Sequence, residues 1–154
     1  MRVNRLALAA ILLWVATIAV FAWFFIRGST GVGTDNRTAV VLAPGERDLI
    51  LAEMRGLLTA THAILEGLNR GDMKQVAQAA SAAGMSQAAD VNPALMAKLP
   101  LPFKQLGLSV HHDMDDLGKA AANGKSAAEV QAMLTNTLAK CVACHSAWQL
   151  KAGD

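Results

Sequence analysis

Residues 6–26 read LALAAILLWVATIAVFAWFFI, a run of 21 residues with no charge, glycine or proline. No other stretch narrows the structure as much. At about 1.5 Å per residue the run makes a helix of roughly 31 Å, one hydrocarbon core thick. A cleaved signal peptide is the rival reading. Its apolar stretch is about 7–15 residues long and ends in a small-residue cleavage site. This run is longer, and the nearest small-x-small triplet, Gly31-Val32-Gly33, is a weak one. The expectation is a retained anchor over residues 1–27. Arg2 and Arg5 precede the run and Arg27 alone follows it. The positive-inside rule then leaves the N-terminus in the cytoplasm and residues 28–154 outside.

The charge balance excludes one class of partner. Without Arg2, Arg5 and Arg27, the 14 basic residues fall to 11 against 12 acidic ones, a net charge of −1. There is no basic patch interleaved with aromatics and no tyrosine, so nucleic acid has no support as a partner.

Residues 28–45, GSTGVGTDNRTAVVLAPG, are rich in Gly, Thr and Ser and read as a tether, with the short apolar stretch Ala39–Ala43 able to dock on the helical domain. From Glu46 the pattern is helical. Ile50, Met54, Leu57, Thr61, Ile64 and Leu68 recur at steps of three and four, a single buried stripe over about 46–70. Gly71 ends that helix and Asp72 caps an Ala-rich second one, with Met73, Val76, Ala80 and Ala83 on one side. Asn92-Pro93, Pro100 and Pro102 punctuate a loop with a short helix at 94–98. Phe103, Leu106, Val110, Met114, Leu117 and Ala121 stripe a third helix over 103–122. Ser126-Ala127-Ala128-Glu129 is a capping box that opens a fourth over about 127–150, with Val130, Met133, Leu134, Leu138 and Cys141 inward. No strand pattern rivals these helices. The expected fold is all-α: an antiparallel four-helix bundle over 46–154, preceded by one transmembrane helix.

The only two cysteines, Cys141 and Cys144, stand in Cys-Val-Ala-Cys-His with His145. This spacing is the signature of c-type haem attachment. On a helix, positions i and i+3 share a face, so both thiols can add to the two haem vinyl groups as thioethers. His145 then offers an imidazole nitrogen to the iron as proximal ligand. Covalent attachment also suits a domain outside the cytoplasm. Three alternatives are weaker. A thioredoxin-type dithiol usually opens a helix after a strand, whereas this motif closes one. Zinc needs about four ligands, and His62, His111 and His112 have no paired zinc-finger spacing. A simple disulfide is the plainest option outside the cytoplasm. One covalent haem c is the cofactor expected.

A Cys-x-x-Cys-His motif on the last helix of a four-helix bundle resembles the cytochrome c-prime family; ordinary small cytochromes c carry theirs near the N-terminus. The resemblance covers about 46–150. It takes in Arg47 seven residues before Met54, Phe103 and Leu117 in the third helix, Gly124 after it, and the motif. It implies a distal group early in the first bundle helix, which places Met54 there as a second iron ligand and makes this a low-spin-like member. Two departures stand out: the anchor, since most members are soluble and periplasmic, and Gln149, where members usually carry Arg or Lys.

Met54 on a buried stripe also reads as core filler. An apolar five-coordinate pocket with Met54 merely nearby is the next reading, and His62 the next ligand candidate. His62 lies about 12 Å further along the helix, so the two cannot share one iron. His111 and His112 begin the run HHDMDD, read as a solvated face, with Met114 in the core. Function therefore divides in two. One reading is an electron carrier serving a membrane-bound redox partner, held in the cytoplasmic membrane of a bacterium by a single pass with its haem domain in the periplasm. The other is a gas-binding cytochrome for nitric oxide or carbon monoxide. The Ala-rich second helix is compatible with a homodimer, and the chain with a subunit of a larger membrane oxidoreductase. No acid–base pair, nucleophile triad or Gly-rich phosphate loop argues for an enzyme.

Overall fold

The computed structural model describes residues 4–88 and 92–153. Helix α1 (Arg5–Arg27) is 23 residues long, about 35 Å, contains an 18-residue window with a mean hydropathy of 2.5 and buries none of its residues. It is long and apolar enough to cross a membrane. The Asn4 side chain caps its start, accepting from the Leu6 amide at 3.1 Å.

The remainder is mostly helical: α2 (Pro44–Arg70), α3 (Met73–Ala82), α4 (Met85–Ala88), α5 (Pro93–Lys98), α6 (Leu101–Ala122) and α7 (Ala127–Ala147). Local chemistry sets the boundaries. Pro44 needs no amide partner in the first turn of α2, and Glu46 reaches back to accept from the Ala43 amide at 2.9 Å. Gly71 stops α2 in the left-handed region at φ +70°. Asp72 caps α3 through the Gln75 amide, and Ser126 with Glu129 forms the capping box of α7. Burial follows the expected stripes: Ile50 and Ile64 on α2, Val76 and Ala80 on α3, Val110, Met114 and Leu117 on α6, Val130 and Leu134 on α7. Helix α3 packs between α2 and α6, while α7 packs on α6 and α2.

The chain is not all-helical. Residues Thr30–Val32 (β1), Thr38–Leu42 (β2) and Trp148–Ala152 (β3) form a three-stranded sheet in the order β1-β2-β3. Strands β1 and β2 are antiparallel; β2 and β3 are parallel, from Thr38 opposite Trp148 to Leu42 opposite Ala152. Two expectations change as a result. The segment read as a tether contains two strands, and its stretch Ala39–Leu42 does dock: Ala39, Val40 and Leu42 are at most 1% exposed. The last helix ends at Ala147, not near 150. Beyond Ala147 the backbone finds ladder partners on β2, and the Trp148 ring meets Phe103 edge to face at 5.9 Å.

The core falls into two clusters. One, built from Ile64, Val76, Ala80, Met114, Leu117, Val130 and Leu134, fills the helical body. The other joins Val40 and Leu42 of β2 to Ile50, Leu95, Leu99 and Phe103, with Met54, Met96, Cys144, Trp148 and Leu150 packed against it. The sheet thus serves the end of the molecule that carries the cysteine motif.

Candidate functional site

Cys141, Cys144 and His145 occupy the last two turns of α7 and line a cleft whose opposite walls come from α2, α5 and α6. The cleft is open to solvent, and its empty space counted out to that boundary is about 810 Å³. Its lining is dominated by apolar side chains, among them Ile50, Leu57, Phe103, Leu106 and Val110. Both cysteines are free, half-buried thiols rather than a disulfide, and His145 is exposed at the rim. Burial pushes both thiols above the usual cysteine value, and the neighbouring Cys141 adds to this at Cys144.

Met54 is half-buried on α2 and lines this same cleft. It also lines a second cavity of about 500 Å³, which shares Phe103, Cys144 and His145 with the first and adds Arg37, Arg47 and Trp148. Arg47 therefore stands beside Met54 and the motif, as its place about two turns earlier on α2 requires. Of the other sequence candidates, His62 and His112 are exposed and line neither cavity, Met114 is core at 1% exposure, and Met85 borders neither cavity.

His111 departs from the reading of HHDMDD as a solvated face. It is 2% exposed and lines the cleft. One ring nitrogen, Nδ1, lies 2.8 Å from the Ala83 carbonyl and the other, Nε2, 2.7 Å from Glu53 Oε1. Two acceptors on one ring favour the doubly protonated form, and Glu53 leads in raising the His111 pKa against the opposing cost of burial. The reason lies in the packing. Helix α6 is covered on several sides, so the position next to Val110 is interior, and the carboxylate of α2 makes a histidine tolerable there. The run is otherwise partnered too: Asp113 pairs with Lys140 at 2.5 Å and Asp115 accepts from the Met85 amide at 3.1 Å.

Two further cations border the site without a signal in the sequence pattern. Arg37, just before β2, donates to the His145 carbonyl at 3.0 Å and to the Trp148 carbonyl at 3.2 Å. It satisfies carbonyls left open where α7 ends and is itself held by Asp35 at 2.6 Å. Gln149 completes this corner by donating to Asp35 at 2.8 Å. Lys104 is buried in the cleft wall at 6% exposure, and burial lowers its pKa. Only the folded chain brings Arg37 to residues more than a hundred positions away, and Lys104 lies off the apolar stripe of α6, beside Phe103, where a lysine reads as solvent-facing.

A haem fits the chemistry of these residues. Two thiols three residues apart on one helical face border an apolar cleft, with an imidazole beside them and a thioether on a facing element. No protein-family model, no curated protein and no solved structure matches the chain.

Proposed function

We propose that the protein is a membrane-anchored c-type cytochrome that carries electrons outside the cytoplasm. The observation that carries this reading is the grouping of Cys141, Cys144 and His145 on the rim of an apolar cleft that Met54 also lines. Cys141 and Cys144 would hold a haem, each thiol being able to add its sulfur and its hydrogen across a vinyl group without consuming an oxidant. His145 and Met54 would hold the haem iron. A bound haem would supply a one-electron redox centre whose potential a thioether ligand raises. The apolar side chains around it exclude water, and the Arg37 guanidinium fixes the backbone that presents His145.

The bundle α2, α3, α6 and α7, with the motif at the end of its last helix, supports a cytochrome c-prime-like arrangement. The apolar helix α1 supports a membrane anchor; the setting proposed for it is a bacterial cytoplasmic membrane, with the haem domain in the periplasm and a membrane-bound redox partner. A five-coordinate gas-binding cytochrome is the second reading, favoured by the apolar Ile50, Leu57 and Val110 beside Met54.

Expression with c-type maturation machinery, followed by mass spectrometry of the denatured protein, should give one added haem per chain. An unmodified mass would overturn the assignment. Carbon monoxide added to the reduced protein then separates the two readings. Slow or weak binding supports electron transfer, and ready binding supports the gas-binding alternative.

A further inference from the structure

The anchor helix does not lead into slack chain. Gly28, at its C-terminal end, has φ +63° and ψ −164°, a conformation essentially reserved for glycine. A Cβ added there would stand 2.5 Å from both the Lys98 carbonyl oxygen and the Pro100 nitrogen. The next amide, Ser29, donates to the Lys98 carbonyl at 2.6 Å. Lys104 reaches back from α6, its Nζ lying 3.7 Å from the centroid of the Phe25 ring and donating to the Phe25 carbonyl at 3.3 Å. That carbonyl belongs to the last turn of α1, where a helix presents its negative end to cations. Among the described residues no carboxylate pairs with Lys104, so the end of α1 is its counterpart.

The corner that receives α1, formed by α5 and the start of α6, has the character of a lipid-facing surface. Residues 92–112 contain no acid, and their two lysines are both engaged, Lys98 with Glu46 at 2.6 Å and Lys104 with the end of α1. The exposed positions Pro93, Ala94, Ala97 and Pro102 are small and uncharged. Arg27 lies over the Trp23 ring at 5.7 Å, a pairing of the kind that marks the membrane–water interface, and it sits directly before Gly28. The same corner supplies Leu99, Phe103 and Lys104 to the wall of the cleft.

We infer that the α5–α6 corner rests on the outer lipid surface, held there by the docked end of α1, so that this wall of the cleft faces the membrane. The inference rests on α1 spanning a membrane and is independent of haem loading. The electron-transfer reading and this one can therefore fail separately.

The test uses the full chain in lipid nanodiscs. Hydrogen exchange should show the Ser29 amide exchanging at least tenfold more slowly than an unstructured amide. Gly28→Ala should abolish that protection while leaving residues 114–138 protected as before, which shows that the domain is still folded. Lys104→Gln should weaken it. A Ser29 amide that exchanges at the unstructured rate in the wild type, or that ignores Gly28→Ala, overturns the docking. A photoreactive residue at Ala97 should crosslink to lipid, and one at Lys125, at the opposite end of α6, should not. Equal lipid crosslinking at both positions, none at Ala97, or crosslinking of Ala97 to another protein chain overturns the lipid assignment.

Discussion

Met54 is the residue on which the functional reading turns. Its side chain lines both cavities beside His145 and packs on the sheet-end core. In the haem-loaded protein, Met54→Ala should convert a low-spin spectrum to a high-spin one, admit carbon monoxide readily and lower the reduction potential. Loss of core volume should cost about 2 kcal/mol, the low end for such truncations because the side chain is only half-buried. The spectrum must therefore be read on folded protein, and a spin state indifferent to the change would favour the gas-binding reading. His111 makes a separate claim. Its folded pKa is raised above the usual 6.5, chiefly by Glu53. Stability from this pair is complete below about pH 6.5 and is lost as pH rises through the higher folded value. The melting temperature should fall with pH above that point, and Glu53→Ala should flatten the fall. The same substitution leaves one His111 N–H without an acceptor, at a cost of about 1–3 kcal/mol. An unchanged pH profile in Glu53→Ala would count against the pair.

At the scale of elements, the helices were legible and the sheet was not. The stripes of α2, α3, α6 and α7 announce themselves because a half-buried helix repeats its apolar positions at every turn. Boundaries were readable where a side chain makes the cap, as at Asp72 and Ser126. Strand β3 carries no such mark. Trp148-Gln149-Leu150-Lys151-Ala152 continues the helical texture of α7, and only β2, distant in sequence, makes it a strand. Tertiary pairing overrides local preference at this point. Of the site, the motif was visible in full because its spacing is local. Arg37, Lys104 and the burial of His111 were hidden because each depends on a long-range neighbour. The role of β2 is testable by truncation. A chain beginning at residue 35 keeps β2 and the Asp35–Arg37 pair and should fold. One beginning at residue 43 loses Ala39, Val40 and Leu42 from the core, and its melting transition should drop sharply or vanish. Leu42→Ala alone should cost about 2–5 kcal/mol. Equal melting of the two truncated chains would show that the sheet contributes little.

For the whole molecule, the first question is whether α1 stays. Protein recovered from membranes should give an N-terminal sequence beginning at or near Met1; a start near Thr34 would mean removal of both α1 and β1. The parallel pairing of β2 with β3 also has a consequence in time. Arg37 and Trp148, which its closure brings together, are 111 positions apart. A chain emerging from its N-terminus presents β2 early and β3 only after every helix between them. Bridging so long a span is entropically slow compared with forming local helices. Throughout that interval Cys141 and Cys144 belong to a helix end with no strand yet fixed beside it. Until β3 pairs with β2, the carbonyls of His145 and Trp148 lack their Arg37 partner, so the helix end that carries the two thiols is the part of the fold that is fixed last.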